Sequence, residues 1–334
     1  MTPRSRWWRL WAFALVCAVA TGVIATSLTR ARRDARVDAG ARPTGQTLSS
    51  PPPAPFAMFR HLGPHASWGR IGVAPVSAPD GPRYLSSLAC VRVHYAGGRG
   101  LCVTTDGPLG RAVVFDAQFQ PQRTLTLTGA PSRARVSSSG RWGAVTVFEH
   151  GHSYADAGFS TRTTLIDLVT EGPPLDLEQF AVVERGQRIH RIDANFWGVT
   201  FAADDNRFYA TLAFGGTPYL VAGDIGRREV QVLEANVECP SLSPDGTRLV
   251  FKRARPLTQG GGWRLWALDL ATRSAHPLDG ESRAVDDQVE WLDDAHVLYQ
   301  LPSDDGNNVW AVGVDDSATA RRFLSEAWSP AVVR

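Results

Sequence analysis

The sequence of 334 residues predicts an all-β protein: a six-bladed β-propeller, preceded by one N-terminal transmembrane helix and a disordered stalk. Two observations support the propeller. A hairpin pattern recurs along the chain, with further strand-like segments after each copy, and incomplete units at the two ends combine into one more. A third observation, a long uncharged segment near the N-terminus, predicts the membrane helix.

The clearest hairpin is CPSLSPDGTRLVF, residues 239–251. Pro244 and Asp245 suit the second and third positions of a type I turn, and Gly246 can adopt the left-handed conformation that closes a short loop. The strand that follows is apolar on consecutive positions from Leu249 to Phe251, which is typical of strands covered on both faces. The segment therefore predicts an interior hairpin of a layered β structure.

The same form recurs in VHYAGGRGLCV, SSSGRWGAVTV, FAADDNRFYATL and WLDDAHVLY. Aligning the hairpins places Gly or Asp, which tolerate positive φ, at the left-handed turn position. These turn residues are Gly98, Gly140, Asp205, Gly246 and Asp294. Further apolar segments such as LWALDL and REVQVLE follow the turns. Four strands in roughly 42 residues match the size of a propeller blade.

The ends of the repeat region supply the sixth unit. Residues 68–88 contain two strands without a leading hairpin, and residues 326–334 contain one strand. A blade shared by these two segments closes the ring and removes open sheet edges. We therefore predict a monomeric six-bladed propeller over residues 58–334.

The N-terminal residues predict a membrane segment. Residues 1–9 form a short basic tail, and residues 10–28 carry no charge. This segment is either a signal anchor that stays in the membrane or a signal peptide cut after Ala20 or Ala25. The propeller lies outside the cytoplasm in both cases, anchored or secreted. Residues 29–57, rich in Pro, Ala and Arg, predict a disordered linker.

The charge distribution argues against a nucleic-acid partner. The net charge is +2, but residues 1–42 hold eight Arg and only two Asp. Of the 35 basic and 33 acidic residues, 27 and 31 remain for the rest of the chain. The predicted propeller is therefore mildly acidic, unlike a domain that binds a phosphate backbone.

The segment LSPDGTRLVF followed by LWALDLATR resembles the WD-like repeat of TolB-type six-bladed propellers. The resemblance covers about residues 68–334 and is strongest over 237–323. It implies the TolB-like propeller fold. The separate α/β domain of TolB-type proteins has no counterpart here, where an anchor and a linker precede the propeller. The role of that domain is therefore not carried over.

The candidate ligand-binding residues lie where the first strand of each blade begins, since that strand lines the central channel of a propeller. They are Trp197, Glu238, Asp286, Asp287 and Gln288. An acidic cluster at one channel mouth can hold a cation or a basic peptide end. The alternative is a set of hydrated acids at strand beginnings.

Two further groups carry chemistry of their own. Cys90 and Cys102 flank the first hairpin and are either a disulfide or two buried thiols. His150, His152 and Asp156 in EHGHSYAD are either metal ligands or part of a solvated loop. The sequence contains no nucleophile elbow, phosphate-binding loop or zinc-protease motif. It therefore indicates no cofactor and no catalytic residue.

These features favour a binding module over an enzyme. We expect a membrane-anchored, extracytoplasmic propeller that binds an envelope protein, a peptide or another envelope ligand. The alternative is a propeller enzyme of the lactonase, lyase or hydrolase type, with an acidic or metal-binding site at the channel mouth. Acids and histidines that converge at one mouth would distinguish the enzyme from the binding module.

Overall fold

The computed structural model describes residues 47–63, 67–106, 109–151, 158–170, 172–303, 306–315 and 318–334. Its strands form six sheets, and the innermost strands of neighbouring sheets contact one another around a closed ring. Within these ranges, helical structure is confined to single 3-10 turns such as Leu177–Gln179 and Leu257–Gln259. The described chain is thus an all-β, six-bladed propeller.

The closing blade takes strands from both ends of this region. From the outer edge inwards, its order is β1, β4, β3, β2 and β27. The bounds are β1 (Thr47–Leu48), β2 (Phe56–His61), β3 (Arg70–Pro75), β4 (Arg83–Ala89) and β27 (Ala327–Val333). Strand β1 pairs parallel to β4, and the other pairs are antiparallel.

The closing blade differs from the sequence prediction in its N-terminal part. Strand β1 and the first residues of β2 lie within residues 29–57, which the composition predicts to be linker. Ala57, Met58 and Phe59 are fully buried. This apolar run is short and follows a proline-rich stretch, so the composition of the stretch concealed the strand. The propeller accordingly begins before residue 58.

Blades 1 and 2 each contain four antiparallel strands in chain order. Blade 1 consists of β5 (Arg92–Ala96), β6 (Arg99–Asp106), β7 (Leu109–Asp116) and β8 (Pro121–Leu127). Blade 2 consists of β9 (Ala130–Val136), β10 (Trp142–His150), β11 (Ser160–Asp167) and β12 (Leu175–Asp176).

Blade 3 has six strands because a hairpin is added to its outer edge. The added strands are β13 (Ala181–Glu184) and β14 (Gln187–Ile189), with β13 parallel to β18. The other four are β15 (Asn195–Phe201), β16 (Arg207–Phe214), β17 (Thr217–Asp224) and β18 (Glu229–Ala235). This hairpin takes up part of the extra sequence between the second and third predicted turns.

Blades 4 and 5 return to four strands each. Blade 4 consists of β19 (Glu238–Leu242), β20 (Arg248–Ala254), β21 (Trp263–Asp269) and β22 (Ala275–Pro277). Blade 5 consists of β23 (Glu290–Trp291), β24 (His296–Ser303), β25 (Gly306–Gly313) and β26 (Arg321–Leu324). Leu249, Val250 and Phe251 of β20 are all buried, as expected for a strand that packs between two neighbouring blades.

The hairpin turns that join the first two strands of blades 1 to 4 have the expected left-handed residue. The φ angles are 80° at Gly98, 75° at Gly140, 56° at Asp205 and 73° at Gly246. Asp294 of blade 5 is not among the described residues with positive φ. Its turn is closed differently, because Asp293 Oδ1 accepts hydrogen bonds from the amides of Ala295 (2.8 Å) and His296 (2.7 Å).

Substitutions at Gly246 and Gly140 should separate backbone strain from steric contact. A Cβ at Gly246 would meet no atom within 4 Å, whereas one at Gly140 would lie 2.5 Å from the Gly97 carbonyl oxygen. Gly246→Val should therefore cost about 1–2 kcal/mol from positive φ alone, and Gly246→Asn less. We expect Gly140→Ala to cost more than Gly246→Ala in urea-denaturation measurements. Equal costs for these two alanine variants would contradict the packing of blade 1 against blade 2.

The three cysteines in the described part of the chain divide into a pair and a single thiol. A disulfide links Cys90 and Cys102, between the start of blade 1 and its second strand. Cys239 is buried and unpaired. Within the described part of the chain, no helix has the length and apolar character needed to cross a membrane. The predicted span over residues 10–28 lies outside that part.

Candidate functional site

The central channel has two ends that differ in chemistry. Its wall consists of the six innermost strands, β27, β5, β9, β15, β19 and β23. We call the end where these strands begin the start mouth, and the end formed by their hairpin turns the hairpin mouth. The sequence-predicted ligand residues lie at or near the start mouth.

The acids of the start mouth are engaged in ion pairs and hydrogen bonds. Glu238 Oε1 accepts a hydrogen bond from Trp263 Nε1 at 2.7 Å, and its Oε2 lies 3.5 Å from Lys252 Nζ. Lys252 also pairs closely with Asp286, and Arg133 lies 3.9 Å from the same carboxylate. Burial raises the pKa of Asp286, but Lys252 and Arg133 outweigh burial, so its pKa lies below the usual value.

The remaining predicted residues are buried around this group. Asp287 accepts a hydrogen bond from the backbone amide of Gln300 at 3.1 Å and lies 4.0 Å from Arg92. Gln288 Nε2 donates to two backbone carbonyls, at 3.0 and 2.8 Å. Trp197 packs edge-on against Phe159, with ring centroids 5.5 Å apart. Trp197 therefore contributes to the packing of the blade.

Three cations that sequence reasoning did not single out convert the expected acidic cluster into a mixed ionic layer. They are Arg92 and Arg133 on the innermost strands and Lys252, whose side chain is fully buried. A signal existed, because Lys252 is the sole lysine in an arginine-rich chain. Its three-donor ammonium contacts two carboxylates and lies 4.1 Å from the Trp263 ring centroid.

A second charged group lies deeper in the channel, between blades 1, 2 and 5. Arg135 and His94 Nε2 both pair with Glu290 Oε2, the histidine at 3.3 Å. The Val136 amide donates to His94 Nδ1 at 3.1 Å. His94 therefore carries its proton on Nε2 and donates it to Glu290. The other oxygen of Glu290 accepts from the Val332 amide at 3.2 Å, which ties the closing strand to this group.

The shifted pKa values of Glu290 and His94 make the stability of the folded protein depend on pH in the acid range. Burial raises the pKa of Glu290, but Arg135 and His94 more than compensate, and its pKa falls to about 2. Burial also lowers the pKa of His94, which Glu290 opposes only in part. Both side chains therefore bind fewer protons in the folded than in the unfolded protein. Stability should decline as the pH falls below the ordinary histidine pKa, and again between the ordinary glutamate pKa and pH 2.

We expect the lowered pKa of Glu290 to contribute about 3 kcal/mol to the free energy of unfolding. This contribution should be fully present above pH 5 and lost as the pH falls towards 2. Urea midpoints measured from pH 7 to pH 2 would test this expectation. In Glu290→Gln the low-pH part of the slope should flatten. An unchanged slope would show that other carboxylates cause the acid unfolding.

The hairpin mouth contains an open cavity of about 760 Å³. Between the Arg135–Glu290–His94 group and the ionic layer, a cavity of about 20 Å³ leaves room for roughly one water molecule. The larger cavity is of the size that binds small molecules or peptide segments. Its deep end is formed by the Arg135–Glu290–His94 group and its sides by the hairpin turns. Sequence reasoning placed the ligand site at the other end of the channel.

The predicted metal ligands lie at the end of β10 and in the segment that follows it. Glu149 accepts a hydrogen bond from Arg162 Nε at 2.6 Å, next to His150 at the end of β10. His152 and Asp156 lie outside the described residues. Among the residues that the structure describes, no group of three or more His, Cys, Asp or Glu side chains is arranged to hold a metal ion.

Comparison with solved structures identifies the fold. The chain superimposes on TolB from Acinetobacter baumannii with a TM-score of 0.62 at 15% identity, over 84% of this chain and 67% of that one. A chain in a nidogen/laminin complex gives a TM-score of 0.55 at 12% identity, over 83% and 97%. The putative TolB from Agrobacterium tumefaciens gives 0.49 at 12% identity, over 81% and 88%.

No protein-family model matches the chain, and no curated protein matches it significantly. The similarity to solved structures therefore establishes a TolB-like six-bladed propeller and nothing beyond the fold.

Proposed function

We propose that this protein is a binding module of the cell envelope, held by its N-terminal helix with the propeller outside the cytoplasm. A protein, peptide or other envelope ligand enters the hairpin mouth. The observation that carries the proposal is the 760 Å³ cavity at that mouth. Only about 20 Å³ of space lies between the Arg135–Glu290–His94 group and the ionic layer, so a ligand in this cavity would end at that group.

The ionic pairing favours binding over catalysis. The enzyme alternative requires acids or histidines that are free to act at one mouth. At the start mouth Glu238 and Asp286 share Lys252. At the hairpin mouth His94 and Glu290 pair with each other, and Arg135 pairs with the same carboxylate. The nidogen/laminin complex, in which one chain has a comparable fold, is a protein assembly. This precedent is consistent with a propeller that serves as a binding surface.

The proposal can be tested in the full-length protein inside its host cell by placing a photo-crosslinking amino acid at Tyr209 or at Ser138, which both line the cavity. We expect a specific crosslinked species from both positions. Val169 is 54% exposed, outside the cavity, and serves as the control position. Equal labelling from Val169, or none from the two cavity positions, would refute the hairpin mouth as the binding site.

The membrane topology has its own test. Protease added to intact cells should release a fragment that begins in residues 29–46, because that part of the chain is predicted linker outside the cytoplasm. Immunoblotting against the propeller measures the release. A propeller that is protected until the membrane is opened would place it on the cytoplasmic side.

A further inference from the structure

The cavity at the hairpin mouth has carboxylates whose oxygens are already engaged. Asp204 accepts hydrogen bonds from the amides of Asn206 (3.1 Å) and Arg207 (2.8 Å) and pairs with the Arg207 side chain. Asp245 accepts from the Ser243 hydroxyl at 2.5 Å and from both the amide and the hydroxyl of Thr247.

The third carboxylate, Glu290, is engaged at both oxygens by Arg135, His94 and the Val332 amide. A cationic ligand would therefore have to compete with partners that each of these acids already has. Glu290 is buried, and a buried carboxylate that is fully hydrogen-bonded exchanges its partners at a cost. Asp204 and Asp245 are exposed, but their oxygens are held by hydrogen bonds within their own turns.

Hydrogen-bond donors of the same cavity are left without acceptors. Ser241 Oγ accepts from Arg135 Nη2 at 3.3 Å, and Thr200 Oγ1 accepts from the Leu242 amide at 3.1 Å. Neither hydroxyl donates to another described residue, so each has an O–H available. Arg334 uses Nη2 to donate to the Trp291 carbonyl at 2.5 Å and keeps its other N–H groups. Tyr209, whose side chain also carries a hydroxyl, is another of the lining residues.

The body of the cavity is partly apolar, with Leu242, Pro244, Val332 and Val333 among the lining residues. An apolar wall and a surplus of donors select a ligand with an apolar body and a terminal group rich in acceptors. A carboxylate or a phosphate meets this description, since both are acceptor-only anions that an arginine fork binds well.

We infer that the hairpin mouth recognises its ligand through an oxyanion, a carboxylate or phosphate group on an apolar body, held by Arg334 and the hydroxyls of Ser241, Thr200 and Tyr209. This inference rests on the proposed function, because it names the chemistry of the ligand for the same cavity. It specifies that the ligand is an anion, which the cavity volume by itself does not.

A matched set of compounds tests whether the cavity prefers an anionic, a neutral or a cationic ligand. Isothermal titration calorimetry with the full-length protein in detergent would compare 3-phenylpropionate, its neutral amide and 3-phenylpropylamine. We expect the acid to bind at least tenfold more tightly than the amide, and the amine least tightly. Phenyl phosphate and inorganic phosphate distinguish the two kinds of anion. Tighter binding of the phosphates than of the carboxylate would support the inference and identify phosphate as the preferred group.

Substitutions test whether the preference for the acid arises in this cavity. Arg334→Gln should weaken binding of the acid about tenfold and leave binding of the amide unchanged. Arg273→Gln, at an exposed arginine on the outer turn of blade 4, should change neither. Thr200→Val and Ser241→Ala should each weaken binding of 3-phenylpropionate by a smaller factor. A melting curve for each variant would confirm that it is folded.

The outcomes separate the two proposals. If the amide or the amine binds as tightly as the acid, or if no compound binds although Tyr209 forms specific crosslinks, the oxyanion inference is wrong and the binding function stands. If no compound binds and no crosslink forms, both fail. An acid preference that survives Arg334→Gln unchanged would also overturn the inference, because the anion would then bind elsewhere.

Discussion

Removal of residues 329–334 is expected to abolish the cooperative unfolding transition of the propeller. These residues make up most of β27, the innermost strand of the closing blade, which pairs with β2 from Phe56↔Val333 to His61↔Ala327. Ala331 is fully buried, and Ser329 bonds to Val93 and Gln300 on the two neighbouring blades. The deletion would expose the edge of β2 and open the ring.

Thermal unfolding followed by near-ultraviolet circular dichroism would measure this loss. Two milder variants serve as controls. Removal of Arg334 takes away one side-chain bond to the Trp291 carbonyl, and Ser329→Ala removes hydrogen bonds but keeps the strand. Both should retain a cooperative transition with a lower midpoint. A truncated protein that melts like the intact one would show that the ring does not depend on this strand.

Arg135→Met is expected to destabilise the protein by about 3–5 kcal/mol, the usual cost of leaving a buried charge without its partner. The substitution keeps an unbranched apolar stem, shortens the side chain and removes the main cation facing Glu290, which is 7% exposed. His94 would remain beside the carboxylate, but burial lowers its pKa, so in the intact protein Arg135 supplies the charge that faces Glu290.

A double substitution and an exposed ion pair provide the controls. Arg135→Met with Glu290→Gln removes both charges and should recover part of the lost stability. Arg162 also forms short ion pairs, with Glu149 and Asp176, but its side chain is 43% exposed. Arg162→Met should cost less than about 1 kcal/mol. If the single and double substitutions at the channel were equally destabilising, the pairing would not be the source of the loss.

The hairpins show how much of the fold local chemistry can specify. Turn residues such as Gly246 and Asp205 adopt positive φ for local reasons, since glycine has no Cβ to clash and aspartate is one of the residues that tolerate this conformation. Such preferences are visible in a window of a few residues, so the repeats and the closure by both ends could be predicted. The exception at Asp294 has the same local origin, since Asp293 supplies an alternative cap that the alignment did not consider.

The short strand β2 and the added hairpin β13–β14 could not be predicted in the same way. Strand β2 is a brief apolar run after prolines, and its burial comes from β3 and β27 on either side. The parallel pairing of β13 with β18 joins segments separated by most of blade 3. Neither segment has a periodic pattern long enough to distinguish it from a loop.

The sequence by itself thus determined the turns, the repeating blades and the acidic residues of the innermost strands, because each depends on neighbours along the chain. Only the tertiary structure decided which cations neutralise those acids and at which mouth of the channel the 760 Å³ cavity lies. His94 and Glu290 are 196 positions apart and meet across the ring. Burial in a shared channel couples such charges strongly, and no local pattern records which residues the ring will bring together.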